Sequence, residues 1–254
     1  MNTINGYIEI NGVINKVTSI DDLHHIVESL GKEFTEMTKE DYEKLTSKPD
    51  KSSTLETDDC KVVYSNNCLV NATIGMEQYK VKEGTKAICS NALYFRDSRY
   101  RFIHINKFTF SKTLIAIGKE SFRFNNIEII IFKDNIQFIG EKAFQGCHHL
   151  NIQILKLPKS LRYLEADAFE SCEKIQSVIF GNEIKEIGSH AFKSCTSLET
   201  VYIPNTVECI GSGVFDNCLK LKSIFIPIGT KNKFADFFPF DTEKLVEIED
   251  NNFV

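Results

Sequence analysis

The stretch Leu198-Glu-Thr-Val201-Tyr-Ile203-Pro204-Asn-Thr-Val207-Glu-Cys-Ile210-Gly211 decides the fold of this chain. The apolar residues at its first, fourth and sixth positions end in an alternation, which is typical of a short strand with one face inward. The proline then ends the strand, because a missing N–H is tolerated only at a strand end or edge. A second apolar pair, Val207 and Ile210, is expected to turn the chain back along the other side.

The stretch is one copy of a repeat. The pattern Ile/Leu-Gly-x-x-Ala/x-Phe occurs five times, and its phenylalanines lie 22, 25, 23 and 23 residues apart. Self-similarity at this period predicts a solenoid, in which each repeat buries its apolar side only against its neighbours. The phenylalanines are Phe122, Phe144, Phe169, Phe192 and Phe215, and a cysteine follows the last four of them after three residues, at Cys147, Cys172, Cys195 and Cys218.

Most copies also contain a glycine directly after the Ile or Leu, at Gly118, Gly140, Gly188 and Gly211. Glycine suits either a bend that needs positive φ or a close approach of two backbones, and the sequence leaves both open. The copy that starts at Leu164 has Glu165 instead, so the requirement is not absolute.

The combination LxxVxIPxxVxxIGxxAFxxCxxL resembles the leucine-rich repeats of the BspA-like, Treponema-type family over residues 62–228. Residues 62–70 look like the hairpin with which many such domains begin, and residues 226–234 look like the family's closing segment. The resemblance implies a right-handed stack with a parallel sheet on one face and irregular structure on the other. It also implies interaction rather than catalysis.

The first sixty residues do not repeat. Asn11-Gly12 predicts a hairpin over residues 7–17. Ser19-x-x-Asp22 and Thr38-x-x-Asp41 have the form of capping boxes that open two helices. Residues 1–47 are therefore interpreted as a small α+β element, either a cap on the solenoid or an independent module.

Residues 48–59 are polar and without periodicity, which indicates a linker before the solenoid of residues 60–228. Residues 229–254 are interpreted as a C-terminal cap. In this cap, residues 233–238 predict a short helical turn and residues 244–248 a last strand that covers the edge of the sheet.

Composition and charge argue against two classes of function, nucleic-acid binding and membrane insertion. The chain has 254 residues and a net charge of −5, so it lacks the basic excess that nucleic-acid binding requires. No apolar run is long enough to insert into a membrane. The start lacks a basic and an apolar leader region, which predicts a cytoplasmic protein, with a cell-surface or secreted one as the alternative if a leader was removed.

No residues suggest catalysis, a metal or a cofactor. The four repeated cysteines are interpreted as small buried side chains, because parallel side chains in a column lack the converging geometry of a disulfide. None of the histidines lies in a recognisable catalytic or metal-binding arrangement. His148-His149 lies in the connection after Cys147, where two extra residues lengthen the repeat. The prediction is that the protein is not an enzyme.

A protein-binding site is predicted on the outer face of the sheet. Strand alternation turns two neighbouring rows of residues outward, and many of their residues are apolar, as is typical of interaction surfaces. The alternative is that β-branched and aromatic residues simply pack well across strands. The candidate residues are Ile129, Ile131, Ile154, Ile179, Tyr202 and Phe225.

A second candidate is the insertion that lengthens an early repeat. Arg96, Arg99, Tyr100 and Arg101 lie in it, and Arg and Tyr are favoured at interfaces. The alternative is a solvated loop whose arginines pair with nearby carboxylates.

Together these features favour a non-enzymatic scaffold that binds a protein partner through its sheet face. The alternative function is an exported cell-surface adhesion or carbohydrate-recognising module, so a glycan is a second possible ligand.

Overall fold

The computed structural model describes residues 6–10, 13–17, 38–48, 56–57, 62–65, 67–72, 78–94 and 106–249. The chain divides into two compact units, residues 1–41 and 42–254. In the first unit, β1 (Gly6–Ile10) pairs antiparallel with β2 (Val13–Val17), and Ile10 is in register with Val13. This is the hairpin that Asn11-Gly12 predicts. The helix expected after Ser19 falls outside the described residues.

The second predicted capping box is formed. The Asp41 N–H donates to Thr38 Oγ1 at 3.2 Å, and the Thr38 N–H donates to Asp41 Oδ2 at 2.9 Å. These reciprocal bonds satisfy backbone donors at the start of helix α1 (Lys39–Thr46), where the helix itself offers no acceptor. The helix therefore begins where the sequence predicts.

Within the second unit, Tyr42 of α1 packs against the solenoid. Its side chain is fully buried, its ring stacks on Phe138 at 5.2 Å, and it lies tilted against Tyr163 at 6.1 Å. The Tyr42 hydroxyl also donates to the Gln137 side chain. The Thr46 carbonyl accepts from the Ser90 N–H at 2.7 Å, so this segment is attached at both ends.

The first parallel ladder contains the strands that the Leu-x-x-Val-x-Ile pattern predicts. In each strand the middle residue is buried and its neighbours are more exposed, which confirms the predicted alternation. The ladder falls into a sheet of three strands and a sheet of five. The first holds β6 (Gln78–Lys80), β8 (Lys107–Thr109) and β10 (Ile129–Ile131); the second holds β12 (Ile154–Lys156), β14 (Ser177–Ile179), β16 (Thr200–Tyr202), β18 (Ser223–Pro227) and β19 (Leu245–Ile248).

The opposite side carries a second ladder of strands. The family resemblance implies irregular structure on this side, so the second ladder is a feature that it does not predict. Its nine strands begin with an antiparallel start and continue as parallel two-residue strands. Its first strand lies inside the predicted linker. The strands are β3 (Glu56–Thr57), β4 (Val62–Ser65), β5 (Cys68–Ala72), β7 (Ala87–Ile88), β9 (Ala116–Ile117), β11 (Phe138–Ile139), β13 (Tyr163–Leu164), β15 (Glu186–Ile187) and β17 (Cys209–Ile210).

The repeated phenylalanines form a column between the two ladders. Successive rings from Phe122 to Phe215 are stacked, with centroids between 4.9 and 6.1 Å apart. Four of these five rings are fully buried. Each ring therefore covers its neighbour, which is why a single repeat cannot hold its core alone.

The repeated cysteines form a second column, next to the first. Each thiol donates to the carbonyl of the phenylalanine in the preceding repeat, at 3.1 to 3.3 Å. For example, Cys172 Sγ donates to the Phe144 carbonyl at 3.2 Å. Burial raises the pKa of the Cys147 thiol to about 12 and raises that of Cys172 and Cys195 as well. The column is a structural element, as predicted for small buried side chains.

The repeat glycines serve close approach rather than positive φ. A Cβ on Gly188 would lie 2.4 Å from the Ala166 nitrogen and 2.5 Å from the Glu165 carbonyl carbon. The left-handed conformation falls two residues later, at His190 in this repeat. Glu165 is tolerated at the same repeat position because it borders a cavity of about 300 Å³ together with Phe138 and Gly140.

The C-terminal segment closes the solenoid as a short helix and a last strand. Helix α2 (Lys231–Phe237) is followed by a 3₁₀ turn (Thr242–Lys244) and by β19, which pairs parallel with β18. Glu247 of β19 is in register with the buried Ile226, but its carboxylate turns back to accept the N–H groups of Gly229 at 2.8 Å and Lys231 at 3.1 Å. It thereby satisfies donors at the start of α2.

Candidate functional site

The first ladder is interrupted between β10 and β12. Neither strand pairs with the other, although each keeps its other neighbour. The interruption is local, because the same two repeats remain joined in the second ladder, where Phe138 faces Tyr163. The phenylalanine column also continues there, with Phe144 and Phe169 5.0 Å apart.

One missing hydrogen bond marks the interruption. In the other repeats the residue after each strand donates its N–H to the carbonyl of the residue that is in register with that strand's last residue, and the bond expected from Phe132 to Lys156 is not formed. Among the described residues, the Phe132 N–H has no acceptor. The bonds that are formed run from Val81 to Thr109, Phe110 to Ile131, Leu157 to Ile179, Phe180 to Tyr202, Ile203 to Phe225 and Ile228 to Ile248, at 2.9 to 3.1 Å.

The cause is an insertion of two residues between Leu150 and β12. In the following repeats the strand begins two residues after the equivalent Leu or Ile, as in Leu198 and β16, but β12 begins four residues after Leu150. The distance from Cys147 to Leu150 is the ordinary three residues. The two extra residues thus lie in the connection after Cys147, as predicted, and the structure places them after Leu150.

The interruption opens a cleft of about 550 Å³ between the two sheets. Its walls are Ile131 on one side and Ile154 on the other, and its floor reaches the core side chains Ile130 and Leu155. Two bonds bracket it: the Asn151 N–H donates to the Glu128 carbonyl at 2.8 Å, and the Lys159 N–H donates to Asp134 Oδ1 at 3.4 Å. The cleft is thus an apolar opening held at both ends.

Lysines outnumber carboxylates around this apolar opening. Lys156 and Lys159 line the cleft and are exposed, and Lys133 lies between the lining residues Phe132 and Asp134. None of the three lysines has a carboxylate oxygen within 4.0 Å in the described part of the chain. The rim is basic in a chain whose net charge is −5.

The predicted patch lies where strand alternation places it, but in two parts. Ile129 and Ile154 are exposed by 44% and 53%, and Ile131 and Ile179 are half-buried beside the cleft. The interruption separates Ile131 from Lys156, which a continuous ladder would have made neighbours. Two strands further on, Tyr202 and Phe225 stack with centroids 4.6 Å apart.

The second predicted candidate, formed by Arg96, Arg99, Tyr100 and Arg101, lies outside the described residues. His148 lies on the surface with Nδ1 3.4 Å from Glu173. In the described ranges, no group of three or more His, Cys, Asp or Glu side chains converges as metal ligands would. Nor is any described helix long and apolar enough to cross a bilayer.

The sequence pattern and the two ladders agree with one repeat family. The BspA type leucine rich repeat region matches in six copies over residues 64–151 and 115–241. The chain belongs to this family. The leucine-rich-repeat family and its fold are typically non-enzymatic, and repeats of this kind form binding scaffolds.

Several solved structures are similar to this chain, and one of them, the pneumococcal vaccine antigen PcpA, shows the same fold. PcpA is 22% identical, with a TM-score of 0.56 over 72% of this chain and 52% of its own. The T. pallidum leucine-rich-repeat protein TpLRR is 22% identical, with a TM-score of 0.44 over 72% of each chain. A leucine-rich cell surface protein of Faecalibacterium prausnitzii is 16% identical, with a TM-score of 0.48 over 70% of this chain and 54% of its own. The leucine-rich-repeat chain spans about half the length of PcpA and of the Faecalibacterium protein. No curated protein matches it significantly.

Proposed function

We propose that this leucine-rich-repeat protein is a scaffold that binds a protein partner through the outer face of its first ladder, centred on the cleft between β10 and β12. The observation that carries the proposal is the interruption itself. It opens a cleft lined by the exposed Ile154 and the half-buried Ile131 and Phe132, at a point where the other described repeats keep the ladder paired. Exposed apolar surface within a polar rim is typical of interaction sites.

The face also has the chemistry of an interface beyond the cleft. Ile129 and Ile154 are large apolar side chains that are about half exposed, which costs solubility without adding to the core. The stacked Tyr202 and Phe225 add aromatic surface on the same face. Aromatic residues are enriched among the residues that dominate binding energy.

The test is a pull-down from the native host with wild type and with the double variant Ile131→Asp plus Tyr202→Asp. Both positions face outward, so the variant is expected to fold, which circular dichroism would check. Leu219→Asp is the matched control, because Leu219 is 77% exposed in a turn away from both ladders. A partner captured by wild type and Leu219→Asp but lost in the double variant supports the proposal. Equal capture by all three proteins contradicts it.

A second candidate function is glycan recognition by an exported adhesion module. The stacked Tyr202 and Phe225 support it, because a flat aromatic surface packs well against the apolar face of a sugar. A glycan array separates the two functions. Sugar binding that is lost in Tyr202→Ala but retained in Ile131→Asp favours the glycan, and absence of binding to the array favours the protein partner.

A further inference from the structure

We infer that the cleft between β10 and β12 binds an extended segment of a partner protein, with an apolar side chain inserted into the cleft and acidic residues on either side of it. The inference rests on the proposed function and names the chemistry of the partner. Three independent features of the cleft lead to it: its unpaired backbone, its apolar floor and its basic rim.

The unpaired backbone after β10 favours a ligand whose own backbone can form the hydrogen bonds of a neighbouring strand. The Phe132 N–H is left without the acceptor that the equivalent residues find in the next repeat. A backbone donor without a partner is costly unless a ligand or water satisfies it. A carbonyl of an extended segment can accept this bond, as in other complexes in which a peptide pairs with an open strand edge.

The apolar floor calls for a hydrophobic side chain. Ile130 and Leu155 are core residues that the cleft reaches, and Phe132 is half-buried, whereas its counterparts Phe110 and Phe180 are at most 1% exposed. The volume of about 550 Å³ lies within the range of ligand pockets, about 300 to 1,000 Å³. A Leu, Ile or Phe side chain would cover the exposed edge of Phe132.

The basic rim decides the charge of the segment. Lys156 and Lys159 line the cleft without carboxylate partners, and the one lining carboxylate, Asp134, already accepts the Lys159 N–H. Complementary charge favours Asp or Glu on both sides of the apolar side chain. A basic segment would be repelled by Lys156 and Lys159 and attracted only by Asp134 among the lining residues.

The test is selection from an unbiased library of nine-residue peptides displayed on phage, with the full chain as bait. We expect enriched peptides to share one apolar residue flanked by Asp or Glu. Lys156→Glu should weaken the binding of such a peptide about fivefold, and the difference should shrink at high salt. Leu219→Asp is again the control and should leave binding unchanged.

A deletion gives the sharper test. Removal of Ile152 and Gln153 shortens the long interval from 25 to 23 residues, the value of the two intervals that follow it, and should let Phe132 bond to Lys156 as in the other repeats. The deletion variant should keep or raise the thermal stability, because the ladder closes, and should lose the peptide. Hydrogen exchange at the Phe132 amide should slow in the variant, and also in wild type when the peptide is added.

Several outcomes would overturn the inference: no enriched peptide, a consensus without acidic residues, or equal binding to the deletion variant. They can be told apart from failure of the proposed function. If the native partner is lost in the Ile131 and Tyr202 double variant but kept by the deletion variant, the sheet face binds and the cleft does not. If the partner binds all variants equally, both proposals fail.

Discussion

The ring of Phe238 stacks on the ring of Phe215, with their centroids 5.7 Å apart and their planes 29° from parallel. Phe238 lies in the segment predicted to be the C-terminal cap, 23 residues after Phe215, and it occupies the next place in the phenylalanine column. This segment therefore supplies the column with one more ring.

Replacement of Phe238 by Ala should remove this closing ring. Phe238 is 7% exposed, so the variant should lose about 3 kcal/mol of unfolding free energy, at the lower end of the range for buried Phe to Ala. Denaturant unfolding followed by circular dichroism measures it. Phe240→Ala is the control, since Phe240 is 92% exposed two residues away. Similar losses in both variants would show that the stacking contributes nothing.

A chain truncated after Gly229 should be less soluble and form higher oligomers. The truncation removes β19 and the buried Phe234, so it exposes the edge of β18 and the apolar core beneath it. Size-exclusion chromatography with light scattering measures the effect. A chain that ends at Glu249 keeps both elements and serves as the control. A monodisperse chain of unchanged stability after truncation at Gly229 would refute the role of this segment as a cap.

The cysteine column should make stability fall at alkaline pH. Burial raises the pKa of Cys147 and of Cys218 to about 12, from 9.0 when exposed. A thiol whose pKa is higher in the folded chain than in the unfolded chain contributes its full stabilisation of the folded state at pH values below the unfolded pKa. This contribution is lost as the pH rises through the folded pKa. Between pH 9 and about 12 the free energy of unfolding should therefore fall by about 1 kcal/mol per pH unit for each such thiol.

Denaturant unfolding at pH 8, 9 and 10 tests this dependence. Cys147→Ala should show a shallower decline than wild type, although it is less stable at pH 8, because it lacks both the thiol and its bond to the Phe122 carbonyl. Alkylation of the native chain should reach the exposed Cys209 well before Cys147. Parallel declines in the two proteins would rule out the thiol as the cause.

Gly188→Ala should destabilise the chain by about 2 kcal/mol, because the new Cβ would press on the backbone of the preceding repeat. Glu165→Ala is the matched control at the same repeat position, where a side chain already fits, and should change stability far less. Thermal unfolding compares the two. A Gly188→Ala chain as stable as wild type would mean that adjacent repeats can move apart at little cost.

The repeats, the strand alternation and the Thr38 capping box could be predicted because each depends on local spacing. The interruption could not be predicted from the interval alone, since 25 residues between Phe144 and Phe169 do not say where the two extra ones lie. Alignment at Leu150 would have located them. The second ladder was also missed, because two-residue strands such as β9 are too short to show a period.

The candidate site was predicted only in part. Alternation correctly turns Ile129, Ile131, Ile154 and Ile179 outward, since side chains on a strand alternate regardless of the neighbouring strand. Whether adjacent strands pair depends on the length of the connection between them, which alternation does not contain. The basic rim was missed for the same reason, because Lys156 and Lys159 line a cleft that exists only where the ladder is interrupted.

The position of Glu247 has a consequence for how this array can change length in evolution. Glu247 is in register with the buried Ile226 and its carboxylate accepts the N–H groups of Gly229 and Lys231, so another repeat stacked beyond it would have to cover an ionised group, at a cost of several kcal/mol. We therefore expect the array to accept an added repeat more readily upstream of Glu247 than beyond it.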